Sequence, residues 1–269
     1  MPKRPTAIVL AAAAVLAMSS VAIGQIQPWN NTGLANTPNQ QQETGATRPA
    51  PRRDISGIWE AGRGGIGARG HMTSPLTPFG EEMSKRNKSG DGSRMVPIPE
   101  INDPLSTMAD PMGFPRQLLF ELRPVQVVQT PTQVLMLYMF EKRWRVIWTD
   151  GRALPTAPDP RWYGYSVGRW VDDSTFVVET VGMDERTWLD NSGNPHSDQL
   201  RVEERYHRVN YGTLELTVTI DDPKVYTKPW VPRNRLPMRL LPPDIDLMEM
   251  IPSASEAAAY RKTMGSAGQ

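Results

Sequence analysis

The sequence contains no cysteine, so no disulfide can constrain the unfolded chain and the fold must rest on its core alone. A lipoprotein anchor is excluded for the same reason, because that lipid is attached to a cysteine. Histidine is also scarce: only His71, His196 and His207 occur, and no pair among them has the spacing of H-x-H or H-E-x-x-H. We therefore expect no metal site and no cofactor.

No excess of one charge sign is present, since 30 Lys and Arg stand against 29 Asp and Glu. Lys3 and Arg4 are the only charged residues before Glu43, so loss of an N-terminal leader would leave 28 basic residues against 29 acidic ones. This balance lacks the basic field of nucleic-acid-binding proteins, and we expect no nucleic-acid partner.

Proline, in contrast, is abundant: 26 of 269 residues, about twice the usual share of ~5%. This frequency argues against an all-helical bundle and favours a body rich in strands and loops. Because 39% of the residues are hydrophobic and 22% are charged, the chain can bury a core and is not disordered throughout.

Residues 1–24 have the features of a secretory signal peptide: a basic start, an apolar run over 7–17 and the small residues Ala22 and Gly24 on either side of Ile23 at the cleavage site. A membrane anchor is the alternative. However, the run is short for a hydrocarbon layer of ~30 Å, and serines at 19 and 20 interrupt it. We therefore expect a periplasmic or secreted protein with no membrane span after signal removal.

The composition then predicts two further segments. Residues 25–53 are rich in Asn, Gln, Thr, Pro and Gly and cannot bury enough surface to order themselves, so they are predicted to form a disordered tether. Residues 54–264 have the size of one domain and are predicted to form a single β-rich domain.

Within this domain the apolar residues repeat with period two, which indicates strands. A first strand is expected at 54–59, and further strands at 125–130, 134–140, 143–149, 166–171, 175–181, 200–209 and 213–220. Short helices are expected from Thr77 to about Asn87 and over 253–262. The predicted fold class is mainly β: an antiparallel meander closing into a barrel or strongly curved sheet, with short peripheral helices and long loops.

The last hairpin can be registered from the sequence. A three-residue loop at 210–212 that pairs Val209 with Thr213 places Tyr206 opposite Leu216 and Arg205 opposite Thr217. In this register one face is largely apolar, and the other carries complementary charges such as His207 opposite Glu215. A slip by one residue would set apolar against charged positions along the whole ladder.

Several sequence blocks together resemble a family of exported bacterial proteins for which no activity is established. The blocks are DISGIW from Asp54, DPMGFPR from Asp110, WTDGR from Trp148, DPRWYGYSVGRW from Asp159, TWLD from Thr187 with PHSD from Pro195, EERY from Glu203, and IDDP from Ile220 with YTKP from Tyr226. The resemblance implies export and a β-rich body. Many family members carry cysteines where Ala109 and Met250 stand here, so a disulfide between those positions would have no counterpart in this chain.

The loop between two predicted strands at 188–198 combines a histidine with carboxylates. His196 has Asp190 and Asp198 near it in sequence and Trp188 beside them. A histidine oriented by a carboxylate next to a water-excluding ring is suited to general acid–base chemistry. Alternatively, His196 only pins the loop by hydrogen bonds. If His196 is functional, His196→Ala should fold with nearly unchanged stability.

Arginines are dense on or beside the predicted strands. If Arg143 and Arg145 pointed into a barrel, they would have to be paired and could form a polar lumen that grips a carboxylate or phenolate. We expect Arg143 and Arg145 to lie outside, and Arg201 and Arg205 to form a half-buried network.

The motif G-x-S-x-G at 164–168, which contains Ser166, matches the nucleophile elbow of α/β hydrolases. An elbow needs a strand before the serine and a helix after it. A proline-rich loop precedes Ser166, and a predicted strand follows it. We therefore do not expect Ser166 to be a nucleophile.

Three functions remain open. The first is an exported barrel that binds a small, partly apolar or aromatic ligand; Gly57-Ile58-Trp59 resembles the G-x-W of the first lipocalin strand. Its candidate ligand-binding residues are Trp188, Glu203, Tyr226, Trp162 and Arg201. The second is a hydrolase, lyase or isomerase with a His196/Asp190 acid–base pair and with Arg205 or Tyr226 holding a developing anion. The third is an envelope protein whose loops mediate contacts.

Overall fold

The computed structural model describes residues 48–61 and 74–266. The predicted signal peptide, residues 25–47 of the predicted tether and His71 lie outside the described residues.

Nine strands form one closed barrel in which each strand is hydrogen-bonded to the next and the last closes against the first. The strands are β1 Gly57–Glu60, β2 Val125–Gln129, β3 Gln133–Tyr138, β4 Trp144–Trp148, β5 Tyr165–Trp170, β6 Thr175–Val181, β7 Arg201–Asn210, β8 Thr213–Asp221 and β9 Trp230–Leu241. The predicted fold class is confirmed: the described chain is mainly β and closes into a barrel.

Four short helices lie outside the barrel in the described part of the chain: α1 Pro78–Arg86, α2 Pro104–Met108, α3 Arg116–Leu119 and α4 Ala254–Ser266, with a 3-10 turn at Ile98–Glu100. The start of α1 follows from its sequence, because Thr77 Oγ1 accepts a hydrogen bond from Gly80 N and proline occupies the first helical position. No helix in this part of the chain is both long and apolar enough to cross a membrane.

One pair of neighbouring strands departs from the predicted antiparallel meander. β4 and β5 are parallel, with Ile147 opposite Ser166 and Trp148 opposite Val167. A parallel pair needs a long crossover instead of a tight turn, and residues 149–164 supply one. Asp150-Gly151, a dipeptide typical of hairpin turns, therefore begins this crossover and does not close a hairpin.

β9 was not predicted, because Pro232 and Pro237 and several arginines obscure its alternation. Proline cannot donate to a sheet ladder, so such a segment reads as irregular. The β8–β9 ladder contains register shifts near Val218, and Arg235 in β9 has a φ of 51°. These bulges allow a proline-bearing strand to close the barrel.

The predicted hairpin register of β7 and β8 is confirmed over the pairs that define its faces, including Tyr206 with Leu216 and Arg205 with Thr217. The closing pair is different: Asn210 lies opposite Thr213, and a bulge falls between Arg208 and Asn210. The additional residue, Val209, therefore forms a bulge in β7 and does not lengthen the turn.

The body begins to make contacts before Asp54. Tyr211 N donates to the carbonyl of Arg48 at 3.0 Å, and the Arg48 guanidinium lies 3.8 Å from the centroid of the Tyr211 ring. Arg53 N donates to the carbonyl of Asp173 at 2.6 Å. The last residues of the predicted tether, from 48 onward, thus lie against the barrel.

The barrel interior is a packed core. Alternate residues of the strands point inward and are almost fully buried, among them Trp59, Val178, Leu216 and Val218, each 0% exposed. A barrel of about this size can hold one small ligand or be filled by side chains, and here side chains fill it.

Candidate functional site

The most polar part of the interior is an ion pair between strands β4 and β7. Arg145 Nη1 donates to Glu204 Oε2 at 2.9 Å, and Nη2 donates to Oε1 at 2.5 Å. The remaining donor of the guanidinium, Nε, bonds Ser166 Oγ at 3.0 Å, and Nη2 also reaches Thr180 Oγ1 at 2.7 Å. The Arg145 side chain is 2% exposed and that of Glu204 is 0% exposed.

Further groups complete this network. Tyr206 Oη donates to Glu204 Oε2 at 2.7 Å, and the Arg145 guanidinium lies 3.9 Å from the centroid of the Phe114 ring. Burial raises the pKa of Tyr138 to about 12, with Glu204 adding to the rise. The carboxylate that Arg145 grips is therefore supplied by the chain itself, and the polar part of the lumen is already occupied.

Two expectations about the arginines are wrong. Arg145 points inward, although it was expected outside, because β4 directs Arg145 and Ile147 to the core and Trp144 to solvent. Arg201 and Arg205 were expected in a half-buried network but lie on the exposed face of β7, with side chains 58% and 44% exposed. The period of two decides this, because Val202, Glu204 and Tyr206 take the inward positions.

Ser166 is not placed as a nucleophile. It lies within β5, and its Oγ is held by Arg145 Nε and by Thr180 Oγ1 at 3.0 Å. The two glycines of the motif have structural roles: Gly164 has a φ of 62°, and a Cβ on Gly168 would lie 2.3 Å from Phe176 Cζ.

His196 is 0% exposed. Its Nε2 shares a hydrogen bond with Thr187 Oγ1 at 2.8 Å, and its Nδ1 contacts the carbonyl of Ser197 at 3.2 Å. Burial lowers the pKa of His196, which favours the neutral ring. The histidine thus pins the loop from within, which is the alternative that the sequence left open.

Asp190 has a different task from orienting His196. Its Oδ1 accepts from the backbone of Ser192 and of Asn194, at 2.9 and 3.2 Å, and its Oδ2 accepts from the Asn194 side-chain amide at 2.6 Å. Asp190 is 1% exposed and closes the turn over 190–194.

The other predicted site residues are dispersed. Tyr226 is buried and donates to the carbonyl of Pro195 at 2.7 Å, whereas Arg205 faces Glu203 on the barrel exterior at 3.7 Å. Arg201 pairs with Glu179 at 3.4 Å on the same outer face. Trp162 is half-buried, and the Arg186 guanidinium lies 4.4 Å from the centroid of one of its rings. His196, Asp190 and Arg205 therefore do not converge on one pocket.

The structure instead forms a large cavity outside the barrel, here called the loop cavity, with a volume of about 730 Å³. Its walls are mainly apolar and come from the loop before α2, from α2, from Phe120 after α3 and from Tyr260 of α4. The apolar wall residues are Met95, Val96, Pro97, Ile98, Pro99, Ile101, Leu105, Phe120 and Tyr260. The polar residues that line it are Asp91, Asp103, Ser106, Arg116 and Asn191.

A buried ion pair stabilises this lining. Arg116 Nη1 and Nη2 donate to the two carboxylate oxygens of Asp103, each at 2.7 Å, and the Arg116 side chain is 3% exposed. Asp103 Oδ1 also caps α2 by accepting from Leu105 N at 3.2 Å. One carboxylate thus fixes both the helix and the cation that line the cavity.

The loop 188–198, which contains the predicted residues Trp188, Asp190 and His196, contacts residues that line this cavity. The Arg116 guanidinium lies 5.5 Å from the centroid of a Trp188 ring, and the Asn191 amide donates to Asp91. Asn191 directly follows Asp190, whose turn fixes its position. Of the predicted residues, Trp188 and Asp190 are therefore near the cavity but do not line it.

Sequence reasoning missed Asp103, Arg116 and the apolar loop residues. Asp103-Pro104 is a recognisable helix start, and Arg116 ends the DPMGFPR block, but the pairing of the two is a tertiary contact without a local pattern. No functional role was predicted for any residue of the segment 90–116.

No group of three or more His, Asp or Glu side chains that could hold a metal ion occurs in residues 48–61 and 74–266. Comparison with protein-family models, curated proteins and solved structures finds no match to this chain.

Proposed function

We propose that the protein is exported and binds a small, mostly apolar ligand in the loop cavity. The observation that carries this proposal is the cavity itself: about 730 Å³ with largely apolar walls and a few polar groups among them. Small-molecule sites in proteins commonly have this volume and this lining.

The charges disfavour an anionic ligand. Arg116 is the cation of the lining, and Asp103 neutralises it through two hydrogen bonds. Asp91 adds a negative charge, and its carboxylate is engaged by the Asn191 amide and by Gly92 N. Because no positive charge is left uncompensated there, a ligand carboxylate would be desolvated without a partner.

The wall is held in place before any ligand binds, which favours affinity because little ordering remains to be done on binding. Val96 N donates to the carbonyl of Ser89 at 2.9 Å, and Asn102 N donates to that of Lys88 at 3.0 Å. Ser89 Oγ in turn donates to the carbonyl of Asn191.

Binding is better supported than catalysis. The proposed acid–base pair is separated, because the Asp190 carboxylate serves its own turn and His196 is enclosed in the loop. The third residue, Arg205, lies on the outer face of β7. The enzyme hypothesis therefore has no supporting geometry at these residues.

A matched pair of substitutions in α2 tests the binding site. Ser106 lines the cavity and Met108 does not, although both are exposed. Ser106→Trp should fill the cavity and weaken binding of the neutral dye Nile red by about tenfold, equivalent to ~1.4 kcal/mol. Met108→Trp should bind the dye as the parent does. Equal dye affinity in both variants, measured by fluorescence titration, would contradict the proposal.

Export is supported by the basic start and apolar run of residues 1–24. We expect the mature chain to begin near Gln25, and mass spectrometry of the intact protein from a periplasmic or culture fraction tests this. A mass that retains residues 1–24 would contradict export with cleavage.

A further inference from the structure

The barrel wall is weakest between β4 and β5. These strands share two residue pairs, Ile147 with Ser166 and Trp148 with Val167, whereas β5 and β6 share six. No residue pair joins the first part of β4, residues 144–146, to the neighbouring residues 163–165 at the start of β5. A cavity of about 430 Å³ lies at this seam, here called the seam cavity.

Aromatic side chains and arginines alternate on its outer part. The Arg152 guanidinium lies 3.4 Å from the centroid of the Trp148 ring, and that of Arg161 lies 4.0 Å from the Tyr165 ring. Trp148 and Tyr165 share the outward face of the sheet, because Trp148 is opposite Val167 and Tyr165 precedes it by two positions. Trp144, which is 67% exposed, adds a further ring at the edge.

The charged residues that line the seam cavity are all basic, whereas those that line the loop cavity are mostly acidic. Its lining includes Arg145, Arg152 and Arg161 and no acidic residue. Glu204 neutralises Arg145. Asp150 neutralises Arg152, whose Nε donates to Asp150 Oδ1 at 2.9 Å and whose Nη2 donates to Oδ2 at 2.6 Å. Arg161 is exposed, forms no ion pair within residues 48–61 and 74–266, and is therefore accessible to a ligand carboxylate.

We propose that the seam cavity is a second binding site, for a small planar aromatic carboxylate. A guanidinium matches a carboxylate with two parallel hydrogen bonds, and Arg161 is the arginine free to make them. The rings of Trp148, Tyr165 and Trp144 offer faces and edges to an aromatic group, and Leu154 contributes an aliphatic surface. This site is independent of the ligand proposed for the loop cavity.

The probe for this site is 2-naphthoate, with 2-naphthamide as its neutral counterpart and cyclohexanecarboxylate as its non-aromatic counterpart. Isothermal titration of the mature protein should show naphthoate binding more tightly than either counterpart. Arg161→Gln should weaken naphthoate binding by about tenfold, the loss expected for a charge-assisted contact. Trp144→Ala, at an exposed ring, should also weaken it.

Arg169→Gln is the matched control. Arg169 is also an exposed arginine, lies in β5 and pairs with Glu179 outside the cavity, so this variant should bind naphthoate within about twofold of the parent. Ser106→Trp should also leave naphthoate binding unchanged, which separates this site from the loop cavity. Absence of naphthoate binding to the parent, or equal losses in Arg161→Gln and Arg169→Gln, would overturn the proposal. Circular dichroism confirms that each variant is folded.

Discussion

Glu203 and Glu204 are neighbours in β7 with opposite environments. Glu203 lies on the outer face, 3.7 Å from the exposed Arg205, whereas Glu204 is fully buried and binds Arg145 through both carboxylate oxygens. Surface pairs contribute little because water screens them, but a buried charge deprived of its partner is costly. A glutamate therefore contributes very differently to the free energy of unfolding at these two adjacent positions.

Glu204→Gln should lower the free energy of unfolding by about 3–5 kcal/mol, because it leaves the Arg145 charge buried without a counter-ion. Glu203→Gln, at the exposed position next to it, should change the free energy by no more than about 0.5 kcal/mol. Urea unfolding measures both. Similar values for the two variants would show that the Arg145 pair is not buried in solution.

The environment of His196 gives stability a pH dependence. Burial lowers the pKa of His196 below its ordinary value of 6.5, so below that pH the unfolded chain binds a proton that the folded chain does not. The stability associated with the neutral ring is therefore complete above about pH 6.5 and is lost as the pH falls below it.

Removing the histidine should remove this dependence. We expect His196→Gln to be less stable than the parent at pH 7.5, by about 1–3 kcal/mol for the lost buried hydrogen bonds. The difference should narrow as the pH falls from 6.5 to 5, where protonation weakens the parent only. His207→Gln, on the exposed face of β7, should keep the parental pH profile in urea unfolding. A constant difference between parent and His196→Gln would refute this account.

At the residue scale the sequence was a poor guide to the site. Trp188 was predicted to bind a ligand and Asp190 to be catalytic, but their loop supports the loop cavity and does not line it. Arg116 and Asp103 are separated in sequence and meet only in the folded chain. Single-residue patterns indicate which groups need partners, whereas the fold decides which partners they receive.

At the element scale, β5 depends on a residue without a side chain. Gly168 faces the core between β4 and β6, and a Cβ there would lie 2.3 Å from Phe176 Cζ and 2.8 Å from Ile147 Cγ2. Both neighbours are fully buried and cannot move freely. The glycine therefore permits the close packing of the barrel at the strand next to the seam.

Gly168→Ala should destabilise the protein by about 1–3 kcal/mol through overpacking of the core. The neighbouring exposed residue provides the control, since Arg169→Ala should cost no more than about 0.5 kcal/mol. The midpoint of urea unfolding measures both changes in stability, provided that the dependence of the unfolding free energy on urea concentration is unchanged. A Gly168→Ala variant as stable as the parent would mean that the Phe176 ring has room to move.

Elements were more predictable than residues. The period of two located β2 to β8 with small differences at their ends, because most of these strands bury one face more deeply than the other; β6, which is buried on both faces, is the exception. It failed for β9, where Pro232 and Pro237 interrupt the pattern and bulges absorb them. It also could not show that β4 and β5 are parallel, since direction depends on the crossover and not on the alternation.

At the scale of the whole molecule, closure of the barrel leaves no room for a ligand inside it. Packed apolar side chains and the Arg145–Glu204 pair occupy the lumen. The two cavities discussed here lie where loops and helices meet outside the barrel, and at the parallel seam of its wall. Their linings differ in charge, which favours a neutral apolar ligand in the first and an aromatic anion in the second.

We expect an apolar ligand to bind outside the barrel and not within it. Titrating Nile red into the mature protein while recording methyl resonances by NMR tests this most directly. The account predicts that the methyl signals of Ile98, Ile101 and Leu105, which line the loop cavity, shift with the dye concentration. The signals of Val178 and Leu216 in the lumen should stay in place. Shifts at Val178 and Leu216 without shifts at the cavity methyls would contradict the account.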